Sequence, residues 1–237
     1  MEVTELEWRG RAGPFTVLLA PGVFAPSRTS LLLAEVLDVR RGEVVIDVGC
    51  GSGVLGLVAA RLGAGFVYGS DVMPEAASIA SENARRLGVG DRSEFRSGHL
   101  FEPLGDVRGN VVIGDVSGIP DAVADLTGWF PGGHAGGPTG AEVPVAMLEE
   151  SADHLEPGGR MYLPTATIQD EARVIEVARR IFGERNMDRI SEREFPLPAI
   201  VARSKAVARL MSEGLLRLRQ RGSRLLWRLA IWRIVRR

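Results

Sequence analysis

Cysteine is almost absent from this sequence. Cys50 stands alone, which excludes an internal disulfide framework and any cysteine-rich zinc site, and no metal site is expected. Long apolar runs are missing too. None approaches the ~18–20 residues that a membrane-crossing helix needs, so no span is expected. The opening Met1-Glu2-Val3-Thr4-Glu5 has neither a basic start nor an apolar core. No signal peptide is therefore expected, and a cytoplasmic location is the default.

What is present fits one α/β domain with additions: 237 residues, 45% apolar and 25% charged. The net charge of −1 conceals an asymmetry. From Arg203 to Arg237 there are 11 Lys/Arg and one acid, Glu213, while the preceding 202 residues carry 18 bases and 29 acids. A basic end on an acidic body can meet RNA, an acidic membrane surface, or the body itself. A strand and helix with solvated arginines is the plainest of these readings.

Glycine and proline punctuate the chain into alternating strands and helices. Residues 1–24 hold short β-prone runs such as Phe15-Thr16-Val17-Leu18-Leu19, broken by Gly13-Pro14 and Pro21-Gly22. Ser27 or Thr29 is placed to cap a helix carrying Leu31, Leu32, Leu33, Val36 and Leu37. Strands are expected at Val44 to Val48, Gly65 to Asp71, Ser93 to Ser97, Asn110 to Asp115, Arg160 to Pro164 and Ile190 to Phe195. Helices are expected at Val54 to Leu62, Pro74 to Arg86, Ala141 to Leu155 and Glu171 to Phe182. Residues 199–220 have helical spacing, and Leu225, Trp227, Leu229 and Ile231 alternate as a final strand would. Six glycines and two prolines make residues 128–140 a mobile loop by composition. The expected fold is a doubly wound, seven-stranded, mostly parallel sheet. An N-terminal β extension (1–26) precedes the main domain (27–237), and a helical insertion (199–220) precedes the last strand.

The chemistry gathers at Val44-Val45-Ile46-Asp47-Val48-Gly49-Cys50-Gly51-Ser52-Gly53, a strand ending in an acid and then a turn with alternate glycines. Such a turn holds a nucleotide-like ligand at the carboxyl end of a parallel strand. Gly51-Ser52-Gly53-Val54-Leu55-Gly56 satisfies the dinucleotide pattern, so NAD must be weighed. Asp71, 18 residues past Gly53, suits ribose hydroxyls in either case. Asp47 discriminates better. An acid before the turn would repel a pyrophosphate but suits a ligand bearing an ammonium group.

At these residues the sequence resembles the class I S-adenosylmethionine-dependent methyltransferases. The resemblance implies S-adenosylmethionine as cofactor, the turn Asp47, Gly49, Cys50, Gly51 and Gly53 as its loop, and Asp71 as its ribose acid. A narrower resemblance is to the HemK-type glutamine-amide methyltransferases. It rests on Gly22 to Thr29, Gly98-His99-Leu100-Phe101-Glu102-Pro103-Leu104, Gly136-Gly137-Pro138-Thr139-Gly140 and Leu155-Glu156-Pro157-Gly158-Gly159. It adds Thr29, Val72, His99, Leu100 and Asp115 to the cofactor set.

The sequence departs from that group after the fourth strand. Asp115-Val116-Ser117-Gly118, followed by Ile119-Pro120, stands where the group carries Asn-Pro-Pro-Tyr followed by Ile-Pro. An acceptor oxygen is kept, while the rigid prolines and the aromatic platform for a planar amide or base are lost. An anionic Asp115 suits a charged amine, or a hydroxyl needing a base. Asp115 and Ser117 are therefore the catalytic candidates, each with turn chemistry as its alternative. His99 is a base, an adenine neighbour or a surface-loop histidine. His134 belongs to the glycine loop and His154 to a helix, where it reads as structural. Trp129 and Phe130 line an acceptor pocket or anchor their loop. Cys50 reads as a small neighbour of the ligand.

Three functions compete. The leading one is N-methylation, with O-methylation as its variant, of a small molecule or peptide, because the acidic body offers nucleic acid no broad basic face. The second is an RNA- or ribosome-associated methyltransferase using the C-terminal arginines. The third is a non-catalytic interaction protein that keeps the fold. Oligomeric state is not encoded in any pattern here.

Overall fold

Strands alternating with helices set up the architecture. In the computed structural model, which describes residues 3–127 and 135–237, β1 (Thr4–Trp8) and β2 (Phe15–Leu19) form an antiparallel hairpin of their own. Then follow α1 (Arg28–Val36), β3 (Val44–Val48), α2 (Val54–Leu62), β4 (Phe66–Asp71), α3 (Pro74–Arg86) and β5 (Ser93–Ser97). The chain continues through β6 (Gly109–Gly114), α4 (Asp121–Thr127), α5 (Glu142–Ser151), β7 (Leu155–Ala166), α6 (Glu171–Phe182) and β8 (Met187–Pro196). It finishes with α7 (Ala199–Ala202), α8 (Lys205–Ser212), β9 (Arg219–Arg221) and β10 (Arg224–Val235).

The main sheet runs β5-β4-β3-β6-β7-β10-β8, with β9 paired beside β10. Neighbours from β5 to β7 pair in parallel, and β10 is antiparallel to both β7 and β8. This is the expected doubly wound sheet of seven strands, with the three-residue β9 paired to the first residues of β10. The chain winds outward in one direction from β3 to β5 and in the other from β6. The carboxyl ends of β3 and β6 therefore flank a topological switch point, where open α/β sheets bind ligands.

Burial on both faces explains the sequence of the central strands. Val45, Ile46 and Val48 of β3 are buried, as are Val111, Val112 and Ile113 of β6. Near-continuous β-branched runs are what a sheet covered on both sides needs. One face packs on α1, α2, α3 and the hairpin, through residues such as Leu33, Leu57, Val58 and Ala80. The other packs on α5 and α6 through Met147, Leu148, Val174 and Ala178. In α2 every residue from Val54 to Ala60 is buried, and Gly56 is held small by its neighbours. A Cβ there would lie 2.9 Å from Val67 Cγ1 and 3.2 Å from Asp47 Oδ2.

The structure corrects some boundaries. Residues 199–220 do not form one helix. Arg203 closes α7, Ser204 caps α8 through its side chain, and Gly214 at φ 77 ends the helical path. Residues 219–221 then pair with β10. β7 starts earlier than expected, at Leu155. The Glu156-Pro157-Gly158-Gly159 turn survives inside it as a register shift, since Gly109 pairs with Leu155 but Val111 with Arg160. Helix α5 stops at Ser151, short of Leu155.

β10 is a strand because it is inserted between two others, with Leu229, Ala230, Ile231 and Ile234 buried. Its tryptophans face the chain's own body: Trp227 packs against Phe195 with ring centroids 5.2 Å apart, and Trp232 Nε1 donates to Thr165 Oγ1 at 3.0 Å. Three arginines of the basic end are likewise matched by the acidic body. Arg233 pairs with Asp188 at 2.8 Å, Arg228 with Glu171 at 2.6 Å, and Arg219 with Glu194. Among the described residues no helix is long and apolar enough to cross a membrane.

Candidate functional site

The switch point opens into a cavity of about 900 Å³. One side is built by the turn after β3. Gly49, Gly51 and Gly53 adopt φ of 73, 52 and 80°, the left-handed region that side chains disfavour, so the alternate glycines of the sequence are a backbone requirement. Gly49 and Cys50 both donate their N–H to Ser70 O at 2.9 Å, which ties the turn to the end of β4. Asp71 closes the arrangement: Gly51 N donates to its Oδ2 at 2.9 Å and Met73 N to its Oδ1 at 3.0 Å. Each oxygen keeps a lone pair for a further donor.

Asp47 is 1% exposed. Gly56 N, at the start of α2, donates to its Oδ2 at 2.8 Å, while Oδ1 is buried with no hydrogen-bond partner among the described residues. Burial pushes its carboxyl up to about 7; the Gly56 hydrogen bond opposes this, and the Asp115 and Asp71 charges add to it. A half-satisfied buried carboxylate at a cavity wall has capacity for one more donor. Cys50 is also buried, and its thiol is pushed well up by burial and the neighbouring carboxylates, so it is not a nucleophile.

Thr29, Asp47, Gly49, Cys50, Gly51, Asp71, Val72, His99 and Leu100 all border this one cavity. Gly53 does not. It caps α2 from behind the wall, where a Cβ would lie 2.9 Å from the Ala80 Cβ, and so shapes the turn. His99 is exposed at the rim, and Leu100 beside it is buried at φ 46, a strained conformation of the kind found at ligand walls. His154 lies elsewhere, stacked on Phe101 at 4.3 Å with Nδ1 2.9 Å from Val107 O, a structural placement. His134, Trp129 and Phe130 lie outside the described residues.

The other side of the cavity lies beyond β6. Asp115 follows β6 directly and its backbone abuts the glycine turn: a Cβ on Gly49 would lie 3.2 Å from Asp115 O. Ser30 Oγ donates to Asp115 Oδ2 at 2.9 Å. Burial pushes the Asp115 carboxyl up to about 6, and the Ser30 hydrogen bond holds it back. Ser117 also borders the cavity, and its Oγ is shielded without a partner. So is Nε2 of Gln169, a residue 3% exposed just past the end of β7. Gln169 lies over Gly118, where a Cβ would come 2.6 Å from Oε1.

Ser30 and Gln169 are the residues that sequence reading missed. Gln169 had a faint signal, since polar residues just past a parallel strand's carboxyl end line the ligand crevice. Ser30 had none as a site residue, because its partner is 85 positions away.

Comparison with known proteins bears on this geometry. The profile of the ribosomal protein L11 methyltransferase (PrmA) family matches residues 26–116, from the start of α1 to just past Asp115. A ribosomal protein L11 methyltransferase of Pelotomaculum thermopropionicum is 34% identical over 151 residues, covering 62% of this chain and 47% of the relative. A release factor glutamine methyltransferase of Moorella thermoacetica is 30% identical over 178 residues, covering 71% of this chain and 62% of the relative. The chain thus spans about half to three-fifths of the length of these relatives. Among solved structures, the ribosomal protein L11 methylase of Lactobacillus delbrueckii superposes with TM-score 0.52 at 18% identity, covering 90% of this chain and 82% of that one. A T. thermophilus 16S rRNA N2 methyltransferase in complex with AdoMet and guanosine gives 0.62 at 17% identity, covering 99% and 51%. Likeness at that identity speaks for the fold alone, and the family profile and sequence relatives add a match at the level of sequence. Together they place the chain among the class I S-adenosylmethionine-dependent methyltransferases.

Proposed function

We propose that the chain methylates a nitrogen on a protein or peptide acceptor. One observation carries this reading: a half-buried carboxylate, Asp115, stands directly beyond β6 at the switch point, on the same cavity as the glycine turn. The names of both sequence relatives add that they act on proteins.

The residues fit S-adenosylmethionine. Asp47 Oδ1, buried and unpartnered, suits the ammonium of its amino-acid end. The free lone pairs of Asp71 suit a ribose diol, and the glycines leave the backbone bare beneath the ligand. Thr29, Val72, His99 and Leu100 border the rest. The bound cofactor supplies a methyl group already activated by the positive sulfonium.

Little covalent help is then needed, so the chain's task is alignment. Asp115 Oδ2 is taken by Ser30, and Oδ1 makes no hydrogen bond to any described residue. That oxygen accepts an N–H of the acceptor, turning the nitrogen lone pair toward the cavity, and receives the proton released on transfer. The donors of Ser117 Oγ and Gln169 Nε2 are available to a carbonyl beside that nitrogen. With the aromatic platform of the glutamine-amide group replaced by Val116, Ser117 and Gly118, the site favours an amine over a planar amide or a stacked base.

The RNA reading rests on the C-terminal arginines, and those at 219, 228 and 233 are engaged with the protein's own carboxylates. Incubation of amine-bearing peptides, glutamine-amide peptides and RNA with labelled cofactor tests the proposal. Label on amine peptides, lost below a pH near 6, is expected. Label on RNA alone would overturn it.

A further inference from the structure

We propose that Ser30 is a positioning residue that fixes the Asp115 carboxylate in its hydrogen-accepting orientation and couples it to the segment walling the cofactor cavity. This rests on the acceptor role given to Asp115 above.

The direction of the hydrogen bond follows from counting. A serine hydroxyl has one hydrogen to give. Ser27 N donates to Ser30 Oγ at 3.2 Å, so that oxygen is already accepting, and its own hydrogen is free for Asp115 Oδ2 at 2.9 Å. Ser30 is 4% exposed. The bond favours the ionised carboxylate and leaves Oδ1 for the acceptor.

The coupling comes from where Ser30 sits. It is the third residue of α1 and half of a reciprocal cap with Ser27, whose side chain accepts from Thr29 N at 3.1 Å. Gly22, Phe24, Ser27 and Thr29, just upstream, border the same cavity. One short segment therefore walls the cavity and aims the carboxylate on the far side of the switch point. The capping box alone would satisfy the helix with any polar residue at position 30. Asp115 gives the hydroxyl a second task.

Other charged or titratable groups share the cavity: Asp47 on β3, Asp71 ending β4, His99 after β5, Arg28 on α1 and Asp121 on α4. The test must therefore read Asp115 itself. Carboxyl ¹³C titration of the aspartate-labelled full chain, assigned with Asp115→Asn, is expected to show a midpoint near 6 for Asp115. In Ser30→Ala the midpoint should rise by roughly one pH unit, the size of a charge-assisted hydrogen bond, and the acid limb of kcat should follow. Ser30→Thr, which keeps the hydroxyl, should restore both. Ser27→Ala, which breaks the cap but not the Asp115 bond, should lower Tm and leave the Asp115 midpoint in place.

An Asp115 midpoint unmoved in Ser30→Ala, or moved equally in Ser27→Ala, would overturn the proposal. The reading of Asp115 fails separately: if Asp115→Asn keeps full activity while Ser30→Ala still moves the titration, the bond is real and the catalytic role is not.

Discussion

The two sides of the switch point are built in opposite ways. The proposed cofactor side is mostly local: β3, three left-handed glycines, α2 and the end of β4 lie within one stretch from Asp47 to Asp71, and Thr29, Val72, His99 and Leu100 border it. The proposed acceptor side draws Ser30 from α1, Asp115 and Ser117 from beyond β6, and Gln169 from beyond β7. A local site tolerates little change within itself, because each glycine is fixed by its backbone angle. A composite site, whose contributors come from separate elements, can be altered one residue at a time without touching the glycine turn.

The widest separation of the two sides is expected from Asp115→Asn. It should lower kcat by about 10²–10³-fold, the usual scale of a lost acid–base group, while calorimetry with the demethylated cofactor product shows unchanged affinity. Equal losses in both would show that the two sides are not independent. Next comes Asp71→Ala, which removes the acceptor of the Gly51 and Met73 N–H groups as well as the diol contact. Product affinity should fall about 100-fold, as for two or more charge-assisted hydrogen bonds.

A smaller effect lies in pH. The Asp47 carboxyl is raised to about 7 in the fold from an ordinary 3.8, so the folded protein holds that proton more tightly than the unfolded chain. Its contribution to stability is present at low pH and lost as pH rises through 7. Binding an ammonium group needs the ionised form, so affinity should fall by up to about tenfold per pH unit below 7. Ligand-free melting should show the opposite trend around neutrality. Parallel curves for the two would break the assignment of Asp47. The smallest effect is expected from Gln169→Leu, which keeps the buried volume and removes the donors. KM for the acceptor should rise about 3–10-fold, the worth of one hydrogen bond, with product binding untouched.

Legibility followed the same division. Asp47, the glycine spacing and Asp71 were readable because each obeys a constraint that acts within a few residues: a strand end, a φ angle, the next strand's end. Asp115 and Ser117 were found as a departure from a familiar pattern at the fourth strand end. Ser30 was legible as a helix-start residue and not as a site residue, since its hydrogen bond spans 85 positions. The region 199–220 misled because leucines at helical spacing, Leu210, Leu215 and Leu218, continue past Gly214 into an extended segment. That segment is drawn to β10, where Arg219 and Glu194 pair across the sheet. The net basic charge at the C-terminus was readable, while its distribution over acids on β8 and α6 was not.

By itself, then, the sequence determined the sheet's core strands, the winding of the chain and the glycine turn. All three depend on hydrophobic period and on backbone angles, which act over a few neighbouring residues. Only the tertiary structure decided which oxygen of Asp115 is free, that α1 holds the other, and that Gln169 joins the wall. Those are meetings of side chains from separate strand ends, and they exist only once the sheet has brought the ends together.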